Sequence, residues 1–286
     1  MNMERIRCLK LQQKVMTAQE AALMVKDGMV IGTSGFTPSG YPKAIPLALA
    51  EHIKETGNQI KIDLLTGASV GDELDDALTE VGAIRKRMPY QTGKRVRESL
   101  NTIGGIEYQD QHLSMAPQNT RYGFYGKVNL AIVEACAITE DGNIVPTTSV
   151  GSSPTFVQEA EKVLVEINTS QPAALEGMHD IYTPLDPPNR QPIPLTEPGQ
   201  RIGTPYIPCD PDKIVGIVFT DIPDNVRPLA PIDDISRTMA AHVISFLQSE
   251  VACGRLPKNL LPLQSGVGSV ANAVLAGLAE SDFENL

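Results

Sequence analysis

The sequence contains no apolar run near the roughly 20 residues that span a bilayer, so no membrane helix is expected. It has no basic surplus: 24 Lys and Arg stand against 34 Asp and Glu, a formal net charge of -10. Nucleic-acid binders carry the opposite excess, which argues against that class. Four cysteines, Cys8, Cys136, Cys209 and Cys253, lie far apart with no C-x-x-C pair. That pattern favours reduced, mostly buried thiols in a cytoplasmic protein. His52, His112, His179 and His242 are equally scattered, and no metal site is expected from their spacing. The first ten residues hold no apolar h-region, so no secretory signal is expected. Ser34, Ser149 and Ser265 stand outside any G-x-S-x-G elbow, which leaves a serine-hydrolase reading with little support.

What remains is a chain of 286 residues, 42% hydrophobic and 20% charged, suited to one large or two modest soluble domains. Thr17 and Glu20 form a capping box that opens a helix to about residue 26, and Gly28 stops it. Strands are predicted at 29–34, 60–65, 128–133, 162–167 and 213–220, with a short extended piece at 135–139 before the Asp141-Gly142 turn. Helices are predicted at 45–55, 73–81, 156–161 and 233–253. Alternating strands and helices imply an α/β fold with a largely parallel sheet. Residues 183–211 carry nine prolines and predict an extended excursion, a surface-wrapping arm in preference to a ligand contact. Ile235, Met239, Val243, Phe246 and Leu247 form the apolar stripe of the last long helix. The domain boundary falls in the loop 221–231, giving residues 1–225 and 226–286.

The chemistry concentrates near the end. Residues 260–263 read as a strand, Gly266 and Gly268 as a tight turn, Ser269 as the cap of a following helix. Backbone N–H groups at such a turn suit an anion or a developing oxyanion. Gly266 to Ala271 also fits a loose dinucleotide fingerprint, and a glycine-lined packing turn without any ligand fits equally. Gly32-Thr-Ser-Gly-Phe36 reads as a loop after a buried strand, with packing and phosphate contact both open. Arg85, Lys86, Arg87, Lys94, Arg95 and Arg97 could receive phosphates, but read in preference as a solvated basic face paired with Asp72, Asp75 and Asp76. Arg227 is a candidate phosphate contact, and Glu134 reads as a structural ion-pair partner after a strand.

Residues 262–275, with Gly32-Thr-Ser-Gly-Phe-Thr37, Gly67-Ala-Ser-Val-Gly-Asp-Glu-Leu74, His179-Asp-Ile-Tyr182, Arg201-Ile-Gly-Thr-Pro205 and Asp210-Pro-Asp-Lys-Ile214, resemble the acetyl-CoA hydrolase/transferase family of class I CoA-transferases. The resemblance covers essentially the whole chain in order and is strongest toward succinyl-CoA:acetate CoA-transferases. It implies a class I CoA-transferase-like open sheet with flanking helices. Residues 226–286 would be the truncated start of a second, similar domain. It also implies coenzyme A as substrate and product, acyl-CoA and small carboxylates as partners, no metal, and a homodimer at full length. Gly266, Val267, Gly268, Ser269 and Val270 would contact CoA, with the Val267 backbone N–H an oxyanion donor. The family's nucleophilic glutamate would fall just past Leu286, and Glu280 and Glu284 would lie too early. The chain alone is therefore expected to be inactive. Acetyl-CoA hydrolysis at the same site, or a non-catalytic CoA- or nucleotide-binding remnant, are the alternatives.

Overall fold

The apolar run expected at 128–133 extends into a nine-residue strand, every residue of which is buried. The computed structural model of the chain describes residues 2–69, 71–226, 231–266 and 268–286. Its strands are β1 (Val30–Thr37), β2 (Ile62–Ser69), β3 (Ile84–Met88), β4 (Glu107–Tyr108), β5 (Leu130–Ile138), β6 (Ile144–Pro146), β7 (Lys162–Asn168) and β8 (Ile214–Thr220). The α-helices are α1 (Leu9–Gln12), α2 (Ala18–Ala22), α3 (Ala44–Thr56), α4 (Ala77–Glu80), α5 (Lys94–Leu100), α6 (Ala116–Arg121), α7 (Ser153–Glu159), α8 (Asp234–Ala252) and α9 (Ser269–Ala279). The sheet order is β4-β3-β2-β1-β5-β7-β8, with neighbours parallel and β6 antiparallel to β5. This is the mostly parallel open α/β sheet with flanking helices that the alternation predicted.

Because side chains alternate across a strand, one sheet feeds two cores. Leu130 and Ile132 of β5 join Leu164 and Val218 in a core covered by α2, α3 and α4. Ala131 and Val133 join Val163, Val165 and Ile217 in a second core under α1 and α7. Continuous burial of both faces is what makes the parallel strands read as unbroken apolar runs. The capping box is present: Thr17 accepts from the Glu20 N–H, and Glu20 accepts from the Thr17 N–H at 2.8 Å.

Several local expectations change. The first capped helix ends at Ala22. Gly32-Thr-Ser-Gly-Phe36 lies inside β1. A Cβ on Gly32 would sit 2.6 Å from the Phe156 ring, so the glycine admits α7 against the sheet. Residues 67–69 continue β2, and Asp72–Asp76 winds as a π-helical turn before α4. Residues 135–138 continue β5, so Glu134 is mid-strand. Basic side chains concealed β3 and α5 from an apolar-pattern reading. Residues 183–211 form no helix or named strand, as their prolines predict.

The chain divides into two compact units, Met1–Pro194 with Arg201–Val226, and Leu195–Gln200 with Arg227–Leu286. In the second unit, Asp233 caps α8 by accepting from the Ser236 N–H at 2.7 Å. Helices α8 and α9 pack closely enough that a Cβ on Gly277 would meet Ile244. The strand expected at 260–263 is absent. A strand needs a partner for its ladder, the described elements of this unit are two helices, and Pro262 lacks a donor.

Candidate functional site

Near the carboxyl end of β7, Glu166 stands in register opposite Glu134, which is midway along β5. Lys43, the residue that precedes α3, meets this pair. Its ammonium donates to Glu134 Oε2 at 2.6 Å, to Asp224 Oδ1 at 2.9 Å and to the Tyr41 carbonyl at 2.9 Å. Thr147 Oγ1 and Asn168 Nδ2 complete the shell of Glu134 at 2.7 and 2.8 Å. Glu166 accepts the backbone N–H groups of Lys43, Ala44 and Ile45 at 2.7, 3.0 and 2.6 Å. A carboxylate there meets the orphan donors and positive dipole of the 13-residue helix α3.

Burial pushes the Glu166 carboxyl up to about 7, against the pull of those three N–H groups. Burial raises Glu134 as well, with Lys43, Thr147 and Asn168 opposing. For Lys43, burial pulls downward, but Glu134 and Asp224 outweigh it and the ammonium ends above the ordinary lysine value. Lys43 and Glu134 have no side-chain exposure. With Asp224 only 7% exposed as well, the cluster anchors structure. Its reach is wide: Asp224 also accepts from the Gly40 N–H, Thr148 Oγ1 and Gln171 Nε2 at 3.1, 2.9 and 3.1 Å. Five separate segments, at residues 40–45, 134, 147–148, 166–171 and 224, are tied at this edge, where open α/β sheets bind ligands. Sequence reading found Glu134 as an ion-pair residue. It missed Lys43, Asp224 and Asn168, whose meeting is purely tertiary.

The glycine turn lies in the second unit. Gly268 is the N-cap of α9 with φ 142°, a backbone that suits glycine, and the helix has no side-chain cap bond. Ser269 is thus the first helical residue rather than the cap. A Cβ at Gly266 or Gly268 would meet nothing within 4 Å, so packing against described neighbours does not require either glycine. Val270 is exposed. Val267 and Arg227 lie outside the described residues.

The basic cluster separates into distinct roles. Arg87 is fully buried and meets Asp75 at 2.7 Å, which corrects the expectation of a solvated face. Arg85 pairs with Asp63 at 2.7 Å, Lys86 with Glu107 at 3.6 Å and Arg95 with Glu80 at 3.5 Å. Ser34 Oγ accepts from the Ser152 N–H at 2.9 Å, which favours packing over phosphate contact in its segment. Burial pushes Cys136 and Cys209 up to about 11, away from thiolate chemistry. Among the described residues no group of His, Cys, Asp and Glu is arranged to hold a metal, and no helix is long and apolar enough to cross a membrane.

Residues 3–219 match the family model described as the acetyl-CoA hydrolase/transferase N-terminal domain. The succinyl-CoA:acetate CoA-transferase of Clostridium kluyveri is 51% identical over 283 residues, covering 99% of this chain and 52% of that protein. The acetyl-CoA hydrolase of Saccharomyces cerevisiae is 44% identical over 292 residues, covering 99% of this chain and 55% of that protein. The chain thus spans about half the length of these relatives. Among solved structures, RipA from Yersinia pestis aligns with a TM-score of 0.65 at 17% identity, covering 96% of this chain and 55% of that one. A 4-hydroxybutyrate CoA-transferase from Porphyromonas gingivalis aligns at 0.55 and 17%, covering 94% and 52%. At these identities the structural likeness bears on the fold alone.

Proposed function

The chain belongs to the acetyl-CoA hydrolase/transferase family, and we propose that it carries the N-terminal part of an enzyme moving CoA between a short acyl-CoA and a carboxylate such as acetate. The observation that carries this reading is the 51% identity to a succinyl-CoA:acetate CoA-transferase across 99% of the chain. Residues 1–225 supply the α/β domain and 226–286 open a second one. The working protein is a cytoplasmic homodimer.

The chemistry is a double displacement. A glutamate carboxylate attacks the thioester carbonyl, giving a mixed anhydride and CoA thiolate. The thiolate attacks the glutamyl carbonyl, releasing the first carboxylate and leaving a glutamyl-CoA thioester. The acceptor carboxylate reverses both steps and leaves as the new acyl-CoA. Covalent catalysis divides one difficult exchange into easier ones, each needing N–H donors at its oxyanion. In this reading Gly266 to Val270 contact CoA and the Val267 N–H is one such donor. The open backbone at Gly266 and Gly268 supports the assignment, because CoA can approach without meeting a side chain there. In this reading neither Glu280 nor Glu284 is the nucleophile. Arg227 is carried along as a phosphate contact.

The test is turnover of succinyl-CoA plus acetate. The 286-residue chain is compared with the same chain continued by the C-terminal half of the Clostridium kluyveri relative. Acetyl-CoA should form with the longer protein only; turnover by the shorter one would put the nucleophile within it. The 44% identity to an acetyl-CoA hydrolase supports a second reading, with water as acceptor. Release of free CoA from acetyl-CoA by the longer protein, at a rate that added carboxylate does not reduce, would favour it.

A further inference from the structure

The motifs at 179–182 and 201–205 have no role in the chemistry above, yet they meet. Asp180 accepts from the Ile202 and Gly203 N–H groups at 3.1 and 2.6 Å, and Ile181 pairs with Thr204 in an antiparallel bridge. Arg201 Nη2 donates to the Gly177 and His179 carbonyls at 2.7 and 2.8 Å. This clasp fixes the base of the proline-rich excursion. Just beyond it, the excursion is held to α6 by a two-bond ion pair: Arg121 Nε and Nη2 reach Asp186 at 2.9 and 2.7 Å. Arg121 is only 9% exposed in its side chain. Planar, bidentate pairs of this kind fix geometry as well as charge.

Between excursion, α6 and the start of α7 lies a cavity of about 430 Å³. Its walls include Met115, Pro117, Tyr182 and Pro184, and its charged groups are Arg121 and Arg190. No aspartate or glutamate is among the described residues that line it. Asp186, outside the lining, lies 3.5 Å from Arg190 as well as bonding Arg121, and offsets one of the two charges. In a chain of net charge -10, a cavity walled by two guanidinium groups and no acid is a local reversal of sign. Arg190 is itself oriented, with Nε on the Leu185 carbonyl at 2.9 Å and Nη2 on Gln118 Oε1 at 3.0 Å. Each guanidinium carries five N–H donors, more than these bonds use. The cavity is in the size range of drug-sized ligands, far larger than acetate requires.

We propose that this cavity binds a nucleoside phosphate, its base against Tyr182 and the prolines and its phosphate at Arg190 and Arg121. The molecule is either a free nucleotide or the nucleotide end of CoA. The site does not depend on the transferase reading. ADP, which has no thiol, is therefore the primary probe.

Titration calorimetry of the 286-residue chain with ADP, CoA and pantetheine tests it. ADP should saturate, and Arg190→Gln should weaken it about tenfold, the loss of a charge-assisted hydrogen bond. Tyr182→Leu, which keeps an apolar wall but removes the ring, should weaken it as well. Arg190 is 41% exposed in its side chain, so its replacement leaves folding intact, checked by far-UV dichroism. CoA binding weakened in parallel identifies the nucleotide end of CoA; ADP binding without CoA identifies a free nucleotide. No ADP saturation at millimolar concentration overturns the proposal, as does binding unchanged by Arg190→Gln or pantetheine competing with ADP. CoA binding lost on Gly268→Val but untouched by Arg190→Gln, with ADP still weakened by Arg190→Gln, likewise identifies a free nucleotide and leaves the glycine-turn assignment standing.

Discussion

Replacing Lys43 by methionine tests the buried cluster most directly. The methionine fills similar space, so packing is largely kept while the charge is lost. Glu134 and Asp224 then face each other's segments with no cation between them. Glu134 retains its bonds from Thr147 and Asn168, and Asp224 those from Gly40, Thr148 and Gln171. The missing part is the ammonium, with its three contacts at 2.6 to 2.9 Å. Breaking a buried pair from one side costs about 3–5 kcal/mol, because the partner charge stays buried and uncompensated. That is a large share of a typical domain stability of about 5–15 kcal/mol. The chain has no tryptophan, so urea unfolding is followed by far-UV dichroism rather than indole fluorescence. Glu134→Gln in the Lys43→Met background should recover part of the loss, since a neutral amide no longer needs the cation. The two changes should therefore be non-additive by at least about 1 kcal/mol. A Lys43→Met loss below about 1 kcal/mol, or strict additivity with Glu134→Gln, would refute the view that this charge cluster ties the carboxyl edge together.

Three further outcomes are expected. The Glu166 carboxyl moves from 4.5 to about 7 on folding, so its stabilising contribution is complete below pH 4.5 and is lost as pH rises through 7. The stability of the native chain relative to Glu166→Gln should accordingly fall by about 3 kcal/mol across that window, and a flat difference would contradict the shift. Gly32→Val should destabilise by several kcal/mol in the same assay, because its side chain would overlap Phe156. Ile235, Met239 and Phe246 are 68%, 48% and 60% exposed along one side of α8, so sedimentation should show concentration-dependent association that Phe246→Glu reduces.

Legibility in the sequence followed the kind of signal. Strand β5 and helix α3 were readable because burial on both faces, or an apolar stripe ended by a glycine, writes a local pattern. Strand β3 was not, because Arg85, Lys86 and Arg87 hide its period. Arg87 is buried where Asp75, twelve positions earlier, and the Pro89 carbonyl meet its guanidinium. The expected strand at 260–263 failed for the converse reason: an apolar run becomes a strand only beside another strand.

The sequence by itself determined the alternation of strands and helices, the proline excursion, the glycine turn and the family. These are written in local composition, or in ordered motifs that survive without coordinates. Only the tertiary structure decided that Lys43, Glu134 and Asp224 share one buried cluster. It alone showed that residues 179–182 and 201–205 clasp one another, and that Arg121 and Arg190 face a cavity with no acid in its wall. Those contacts join residues up to 181 positions apart, as Lys43 and Asp224 are. Their free energy depends on desolvation and geometry, which no local pattern of residues encodes.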